Sequence, residues 1–275
     1  MGHIMRCLVL AQQYNEVLFA VRSLPGALDL QHPHHVLKTD HIDELIELIH
    51  HEKPDLLVID HYDIDENDER RIKQRTHVKI LSLDDTYRRH HCDILLNHNI
   101  YAESSRYIDL VPSDCEIRCG SKYTLLRQEF YDAKKAHKDK KSPQAFIVMG
   151  GTDIANLNGK ILKALPDWRV KVITTTANPY LEELRQQVSE HQSAELIINA
   201  QNIASIISES TFGVLTPSVI ANEAYFLGVP FVAIQTAENQ RYMYDYLEEC
   251  GYLVMKHFDE NRLREWSGCL INIHL

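Results

Sequence analysis

Apolar residues along this chain recur in two registers that alternate. From about Thr39, Ile42, Leu45, Ile46 and Ile49 repeat at helical spacing, and Lys53-Pro54 ends the run. Leu56-Leu57-Val58-Ile59-Asp60 follows, wholly apolar until its last residue, the form of a strand buried on both faces of a parallel sheet. Asp65 to Gln74 reads as a capped helix, Val78 to Leu83 as a strand closed by Asp84-Asp85, and Cys92 to Asn97 as a further strand. The unit of helix, strand and polar strand end repeats, which predicts an α/β fold for this half.

Polarity rises between Asp132 and Pro143, where lysines crowd the sequence. This predicts an N-terminal Rossmann-like domain over 1–132, a linker over 133–143 and a second domain over 144–275. In that second domain the alternation restarts. Strands are expected at Ala145–Met149, Val170–Thr174, Ala194–Ile198, Phe212–Leu215 and Phe231–Ile234. Helices are expected up to Leu165, from Pro179 to about Glu190, from Asn202 to Ser208, from Ser218 to Leu227 and near Asn239 to Glu249. Five strand–helix units in succession predict a doubly wound domain, whose ligands sit beyond the carboxyl ends of the strands. No solenoid-length repeat and no low-complexity segment interrupts the pattern.

Composition narrows the function classes. The chain has 275 residues, 44% hydrophobic and 25% charged, enough for one large domain or two of about 130 residues. No apolar run approaches the ~18 residues that span a bilayer, and no signal peptide is visible. A formal charge of −10 argues against general nucleic-acid or membrane-surface binding, while leaving room for a local basic patch toward an anionic ligand. Cys7, Cys92, Cys115, Cys119, Cys250 and Cys269 show neither disulfide-framework nor zinc spacing and read as reduced thiols of a cytoplasmic protein. The sixteen histidines sit mostly singly or as adjacent pairs. Sequence neighbours do not face one way on a helix or strand, so exposed or capping histidines are expected, and no metal.

Chemistry concentrates at strand ends. Met149-Gly150-Gly151-Thr152-Asp153 places a glycine pair between strand and helix, where backbone and helix N–H groups can approach a diphosphate; an ordinary turn is the plainer account. Thr216-Pro217-Ser218 opens a helix carrying Asn222 and Glu223 among alanines. Its hydroxyls suit capping, but Glu223 on a largely apolar helix suits a ribose diol. Thr236-Ala237-Glu238-Asn239-Gln240 offers amides for a base edge or phosphate, or else a helix cap. In the first half Asp60-His61-Tyr62 ends an apolar strand, and His3 near a helix start is suited to general-base work, although alone it would be an unremarkable terminal histidine.

Gly2-His3-Ile4-Met5-Arg6, Leu57-Val58-Ile59-Asp60-His61-Tyr62, His91-Cys92-Asp93-Ile94-Leu95-Leu96-Asn97, Arg118-Cys119-Gly120, Met149-Gly150-Gly151-Thr152-Asp153 and Asn222-Glu223-Ala224 occur in that order. Together, over nearly the whole chain, they resemble the UDP-2,4-diacetamido-2,4,6-trideoxy-β-L-altropyranose hydrolase family of pseudaminic acid biosynthesis, a route connected to flagellin glycosylation. The last two motifs also recur in related UDP-sugar glycosyltransferases.

The resemblance implies a glycosyltransferase-B architecture, with two doubly wound domains facing across a cleft and UDP held by the C-terminal one. It implies metal-independent, cofactor-free hydrolysis in which water attacks the anomeric carbon with inversion. His3 matches the base and Tyr62 an aromatic residue of the sugar pocket. Glu223 matches a ribose ligand, and Asn239 falls where the family has an amide near the nucleotide. Arg6, Asp60, Gly150, Gly151, Thr152, Ser218 and Asn222 complete the expected substrate-binding set. The family has a first strand and a glycine loop ahead of its Gly-His pair, whereas this chain starts at Met1-Gly2-His3. The resemblance therefore implies a start assigned too late or a shortened product, with exposed apolar neighbours at Leu56–Ile59 and a tail after Trp266 too short for a final helix. A UDP-sugar glycosyltransferase and an inactive UDP-binding remnant are the alternatives. No apolar or basic segment of the kind that binds lipid acceptors stands out, and the oligomeric state is not legible.

Overall fold

A computed structural model describes residues 2–22, 32–136 and 143–274, and the chain divides between Leu125 and Leu126 into two compact units. The first contains α1 (Gly2–Ala11), β1 (Phe19–Arg22), β2 (His34–Leu37), α2 (Ile42–Glu52), β3 (Leu56–Ile59), α3 (Glu66–Thr76), β4 (Lys79–Leu83), β5 (Ile94–Asn97) and β6 (Glu116–Cys119). β1 and β2 pair in parallel, and β3-β4-β5-β6 form a second sheet, parallel throughout.

Local rules account for the helices that cover this sheet. Leu45, Ile46 and Ile49 form the buried stripe of α2, which stops where Lys53 takes a left-handed conformation ahead of Pro54. α3 is almost entirely polar, and its start is fixed by a capping box: Asp65 accepts from the backbone N–H groups of Asn67 and Asp68 at 2.8 and 3.0 Å. Only Ile72 and Glu69 are buried along it. Ile46, Ile49, Ile72, Ile80 and Leu95 fill one face of the sheet, and Leu10, Leu81, Leu83, Leu96 and Leu125 the other. β3 is an outer strand, and Leu56, Leu57 and Val58 are half-buried.

The second unit contains α4 (Gln128–Ala136), β7 (Gln144–Val148), α5 (Asn158–Lys163), β8 (Arg169–Thr174), α6 (Leu181–Glu190), β9 (Ala194–Ile198), α7 (Ile203–Glu209), β10 (Phe212–Leu215), α8 (Val219–Leu227), β11 (Phe231–Ile234), α9 (Arg241–Glu249), β12 (Leu253–Met255) and α10 (Glu260–His274). Its sheet is parallel, with the order β12-β11-β10-β7-β8-β9. Chain order runs outward in both directions from the β7/β10 pair, so the topological switch point lies there. Trp168, Phe212 and Trp266 pack edge to face in the core beneath it.

Several features depart from the sequence expectations, among them β12, a sixth strand of the second sheet where five were expected. The units meet at Leu125–Leu126, ahead of the expected linker, and residues 133–136 are helical. α4 forms because Phe130 is wholly buried and Lys134 donates to the Phe226 carbonyl at 2.7 Å while its ammonium covers the Phe226 ring, contacts that outweigh a lysine-rich composition. Residues 137–142 of the expected linker lie outside the described residues. The tail does carry a helix: Leu263 is fully buried, and Arg264 donates to the Lys163 carbonyl at 2.7 Å and to Glu260 one turn back. Finally, His90 and His98, expected at the surface, are buried. No helix among the described residues is long and apolar enough to cross a membrane.

Candidate functional site

In the first unit the chemistry gathers at the carboxyl ends of β3 and β4. Asp60 follows β3 and Asp85 follows β4 by two residues, and α1 presents His3, Arg6 and Cys7 on one face through its i, i+3, i+4 spacing. Asp60 accepts from Arg6 Nε at 2.7 Å, Arg6 Nη2 at 2.5 Å and Cys7 Sγ at 3.3 Å, and its Oδ1 lies 2.6 Å from His3 Nδ1. Arg6 Nη1 also donates to Asp85 at 3.1 Å.

This geometry selects a tautomer. Arg6 Nη2 stands 2.9 Å from His3 Nδ1, yet a nitrogen 2.6 Å from a carboxylate oxygen must carry a proton, since two lone pairs would repel. Nδ1 therefore donates to Asp60, so in the neutral ring it is Nε2 that carries the lone pair. The side chain of His3 is 39% exposed while those of Arg6 and Asp60 are 4% and 5% exposed, so an accessible base stands on a buried ionic support. Burial alone would push the Asp60 carboxyl up, but hydrogen bonds from Arg6 and His3 outweigh it and hold the group well below the usual carboxylate range. Burial, then Asp60, push the Cys7 thiol far up, so Cys7 is no nucleophile.

Tyr62 stands edge-on against the His3 ring, with centroids 4.9 Å apart, and its hydroxyl donates to the Asp85 carboxylate at 2.9–3.0 Å. Arg88 donates to the Tyr62 carbonyl at 2.5 Å and packs over its ring. Behind this layer a buried network fixes the β4 end. Glu69 accepts from Ser82 at 2.5 Å, from the His91 backbone N–H at 2.5 Å and from His90 Nδ1 at 2.8 Å; Asp84 accepts from Tyr107 at 2.7 Å. His90 Nε2 is 3.8 Å from Asp84, an ion-pair rather than a hydrogen-bond distance. Burial opposes protonation of His90, but Asp84 and Glu69 overcome it and raise its pKa to about 9. His98, just past β5, is a different case. Both of its ring nitrogens are buried without a partner, and burial and then Arg6 push its pKa down to about 3, leaving the ring neutral.

In the second unit the switch point brings two expected loops together. Leu215 of β10 pairs with Val148 of β7, and the Thr216 N–H donates to the Val148 carbonyl at 3.3 Å, so Gly150–Gly151 and Thr216–Ser218 leave adjacent strands side by side. Gly150 has φ +78°, which favours glycine, and a Cβ on Gly151 would lie 3.1 Å from Thr175, so the Thr175 side chain would have to shift to admit one. The Gly151 carbonyl accepts from the Thr175 hydroxyl at 2.8 Å, which ties this loop to the end of β8. Thr152 is exposed.

α5 does not open directly after the glycines as expected. Asp153, with φ +43°, turns back, and its carboxylate takes the Leu157 and Asn158 N–H groups at 2.9 Å each, consuming the donors a phosphate would need there. α8 is the reverse case. Ser218 occupies the N-cap position but caps nothing; its hydroxyl meets that of Thr216 at 3.0 Å, leaving the opening amides of α8 without a side-chain partner. One turn on, Asn222 and Glu223 are buried. Burial raises the Glu223 carboxyl to about 7 against the opposing pull of Arg127, whose Nη2 lies 3.4 Å away. Asn239 is exposed in a 3-10 turn spanning Glu238–Gln240. The amide that closes this turn is that of Gln240, which accepts from the Thr236 N–H at 2.8 Å.

The structure thus joins His3, Arg6, Asp60 and Tyr62 in one cluster and Gly150, Gly151 and Ser218 at one switch point, with Asn222 and Glu223 on the helix that follows. Sequence reasoning passed over Asp85, Arg88 and Arg127. Asp85 was visible as a strand-end acid, but its partners are 79 and 23 residues away, beyond any local signal. A concavity of about 390 Å³ lined by Ile49, His50, Lys53, His77 and Lys79 lies at the amino ends of β3 and β4, away from this chemistry. Among the described residues no group of three or more His, Cys, Asp or Glu side chains is arranged to hold a metal ion.

Comparison with known proteins gives a consistent picture. The chain is 45% identical over 256 residues to the UDP-2,4-diacetamido-2,4,6-trideoxy-β-L-altropyranose hydrolase of Campylobacter jejuni, covering 92% of this chain and 93% of that protein. Among solved structures, MurG of Acinetobacter baumannii matches with a TM-score of 0.66 at 12% identity, covering 99% of this chain and 88% of that one. MnaA of S. aureus in complex with UDP matches with a TM-score of 0.62 at 16% identity, covering 98% of this chain and 85% of that one. These two likenesses establish the fold, two parallel α/β units of the glycosyltransferase-B type. No family model matches the chain.

Proposed function

Because this chain belongs to the UDP-2,4-diacetamido-2,4,6-trideoxy-β-L-altropyranose hydrolase family, we propose that it cleaves that UDP-linked diacetamido sugar to UDP and free sugar, with His3 activating the water. The transferase alternative is not favoured, since the relative that shares 45% identity is a hydrolase. The observation that carries the assignment is the 2.6 Å contact between His3 Nδ1 and Asp60, which points the basic nitrogen away from its support.

The step balances simply. Nε2 of His3 takes a proton as the water oxygen attacks C1; the C1–O bond to the β-phosphate breaks, its electron pair leaves with UDP, and C1 inverts. Asp60 stabilises the imidazolium that forms, as a buried carboxylate does behind other catalytic histidines. UDP is a stable leaving group, so the remaining need is stabilisation of its developing charge by fixed donors. We assign that to the amides opening α8, whose cap hydroxyl is turned aside, and to the glycine loop beside them. Glu223 takes the ribose diol, Asn222 and Ser218 flank it, and Asn239 serves the nucleotide. Tyr62 lines the sugar side. No metal enters this step, and the reading places the enzyme in the cytoplasm, within pseudaminic acid biosynthesis.

Hydrolysis in ¹⁸O-labelled water with EDTA present tests the proposal. The label is expected at C1 of the sugar, and His3→Ala is expected to lower kcat by about 10²–10⁴-fold, the usual worth of a general base. Label in the UDP phosphate, or a His3→Ala rate equal to the parent's, overturns it.

A further inference from the structure

Away from the residues given roles above, two nucleophiles are held face to face. Cys92 precedes β5 and Cys115 precedes β6, neighbouring parallel strands, and their sulfurs are 3.8 Å apart. The backbone beside both is pinned. The Glu116 N–H donates to the Asp93 carbonyl at 2.9 Å, and the Cys115 N–H to the Pro112 carbonyl at 3.0 Å. Cys92 is buried in the cluster of Ile80, Leu95 and Tyr107, whereas Cys115 sits half-buried at its edge. Among the described residues no other two cysteine sulfurs touch.

We propose that Cys92 and Cys115 form a hydroperoxide-sensitive dithiol, in which Cys115 is oxidised first and Cys92 closes the disulfide. The Cys115 thiolate attacks the distal oxygen of the peroxide; the O–O bond breaks, leaving a sulfenic acid on Cys115 and releasing hydroxide or alkoxide. Cys92 then loses its proton and attacks the Cys115 sulfur. The S–O bond breaks, water leaves, and two thiols have been oxidised by one peroxide.

The order follows from position and charge. Cys115 is the sulfur a solute can reach, and the hydrogen bond from Cys92 lowers its pKa; the same shared bond, then burial, raise that of Cys92. The register that sets Ile94 opposite Glu116 offsets Cys92 from Cys115 by one residue, yet their sulfurs already stand 3.8 Å apart, and rotation of the two side chains has to close that gap to the ~2.05 Å of an S–S bond. A reducing compartment would reopen the bond, which makes it a transient modification rather than a structural staple. The other thiols lack these conditions. Burial pushes Cys119 up to about 11, and Cys250 and Cys269 are exposed without a second sulfur in contact.

The test treats reduced wild-type protein with one equivalent of hydrogen peroxide, caps the remaining thiols with N-ethylmaleimide and maps the peptides by mass spectrometry. A Cys92–Cys115 linked peptide is expected to appear before Cys250 or Cys269 is consumed, with both thiols of the pair lost together. In Cys92→Ser, dimedone is expected to trap sulfenic acid on Cys115; in Cys115→Ser, Cys92 is expected to stay reduced. Consumption of Cys250 ahead of Cys115, or oxidation of Cys115 in wild-type protein without a linked peptide, overturns the proposal whatever the variants do.

Discussion

Replacing Asp60 by asparagine separates the proposed machinery from mere packing. The substitution keeps side-chain volume but removes a charge and one acceptor oxygen from a group that is 5% exposed and bonded to His3, Arg6 and Cys7. An amide nitrogen turned toward His3 would donate to Nδ1 and drive the proton to Nε2, where the ring can no longer act as base. Behind the histidine of a serine protease the same change costs about 10⁴ in kcat. His3 is 39% exposed and freer to rotate, so a loss of about 10³ is expected, or about 4 kcal/mol of transition-state stabilisation. Stability should fall less. Arg6 keeps Asp85 at 3.1 Å, so the cost should lie below the roughly 3–5 kcal/mol of a buried charge left wholly unpaired. Because Asp60 titrates below its ordinary value when folded, the stability it contributes is present above about pH 4 and is lost as pH falls further, and the variant should lack that acid limb. The assays are coupled UDP release for kcat and KM, and thermal unfolding across pH. A variant whose kcat stays within about tenfold of the parent, a deficit under about 1.4 kcal/mol, would refute the tautomer argument.

Tyr62→Phe keeps the ring against His3 but removes its hydrogen bond to Asp85; because that bond is exposed and water can replace it, a loss of no more than about 1 kcal/mol in stability is expected by thermal melt. If Glu223 binds the ribose as a carboxylate, protonation competes with UDP. With its pKa near 7, calorimetry should show affinity about tenfold weaker at pH 6 than at pH 8, and Glu223→Gln should abolish the difference. A dependence that survives in the variant would assign it elsewhere. His90 has a folded pKa raised to about 9, so its contribution is complete below about pH 6.5 and is lost as pH rises through 9, up to about 3 kcal/mol in all. Melts of His90→Gln should lack that alkaline decline.

Periodicity carried five of the six strands of the second unit because each is a short run rich in apolar residues between polar ends, even with Lys171 inside β8 and Glu195 inside β9; the three-residue β12 was too short to show. It failed where partners decide. β1, β2 and β6 are half-polar strands: Arg22, His34, His35, Glu116 and Arg118 break any apolar pattern, and pairing alone gives them a strand form. α4 reads as a linker until Phe130 finds its core. The candidate site divides the same way. Residues at strand ends were legible because a doubly wound sheet delivers them to one edge, and Gly150, Ser218, Asp60 and Tyr62 announce themselves by that position. What those positions do was not legible. Asp153 looked like part of a phosphate loop, yet its carboxylate spends itself on α5; Ser218 looked like a cap, yet its hydroxyl pairs with Thr216 and leaves α8 open. Both reversals turn on a side-chain rotamer choosing between two donors within a few residues, and sequence spacing offers those alternatives equally. A helix opening after a strand in such a fold is therefore a place to look for an anion, and only the hydrogen bonds of its first turn decide which opening remains available.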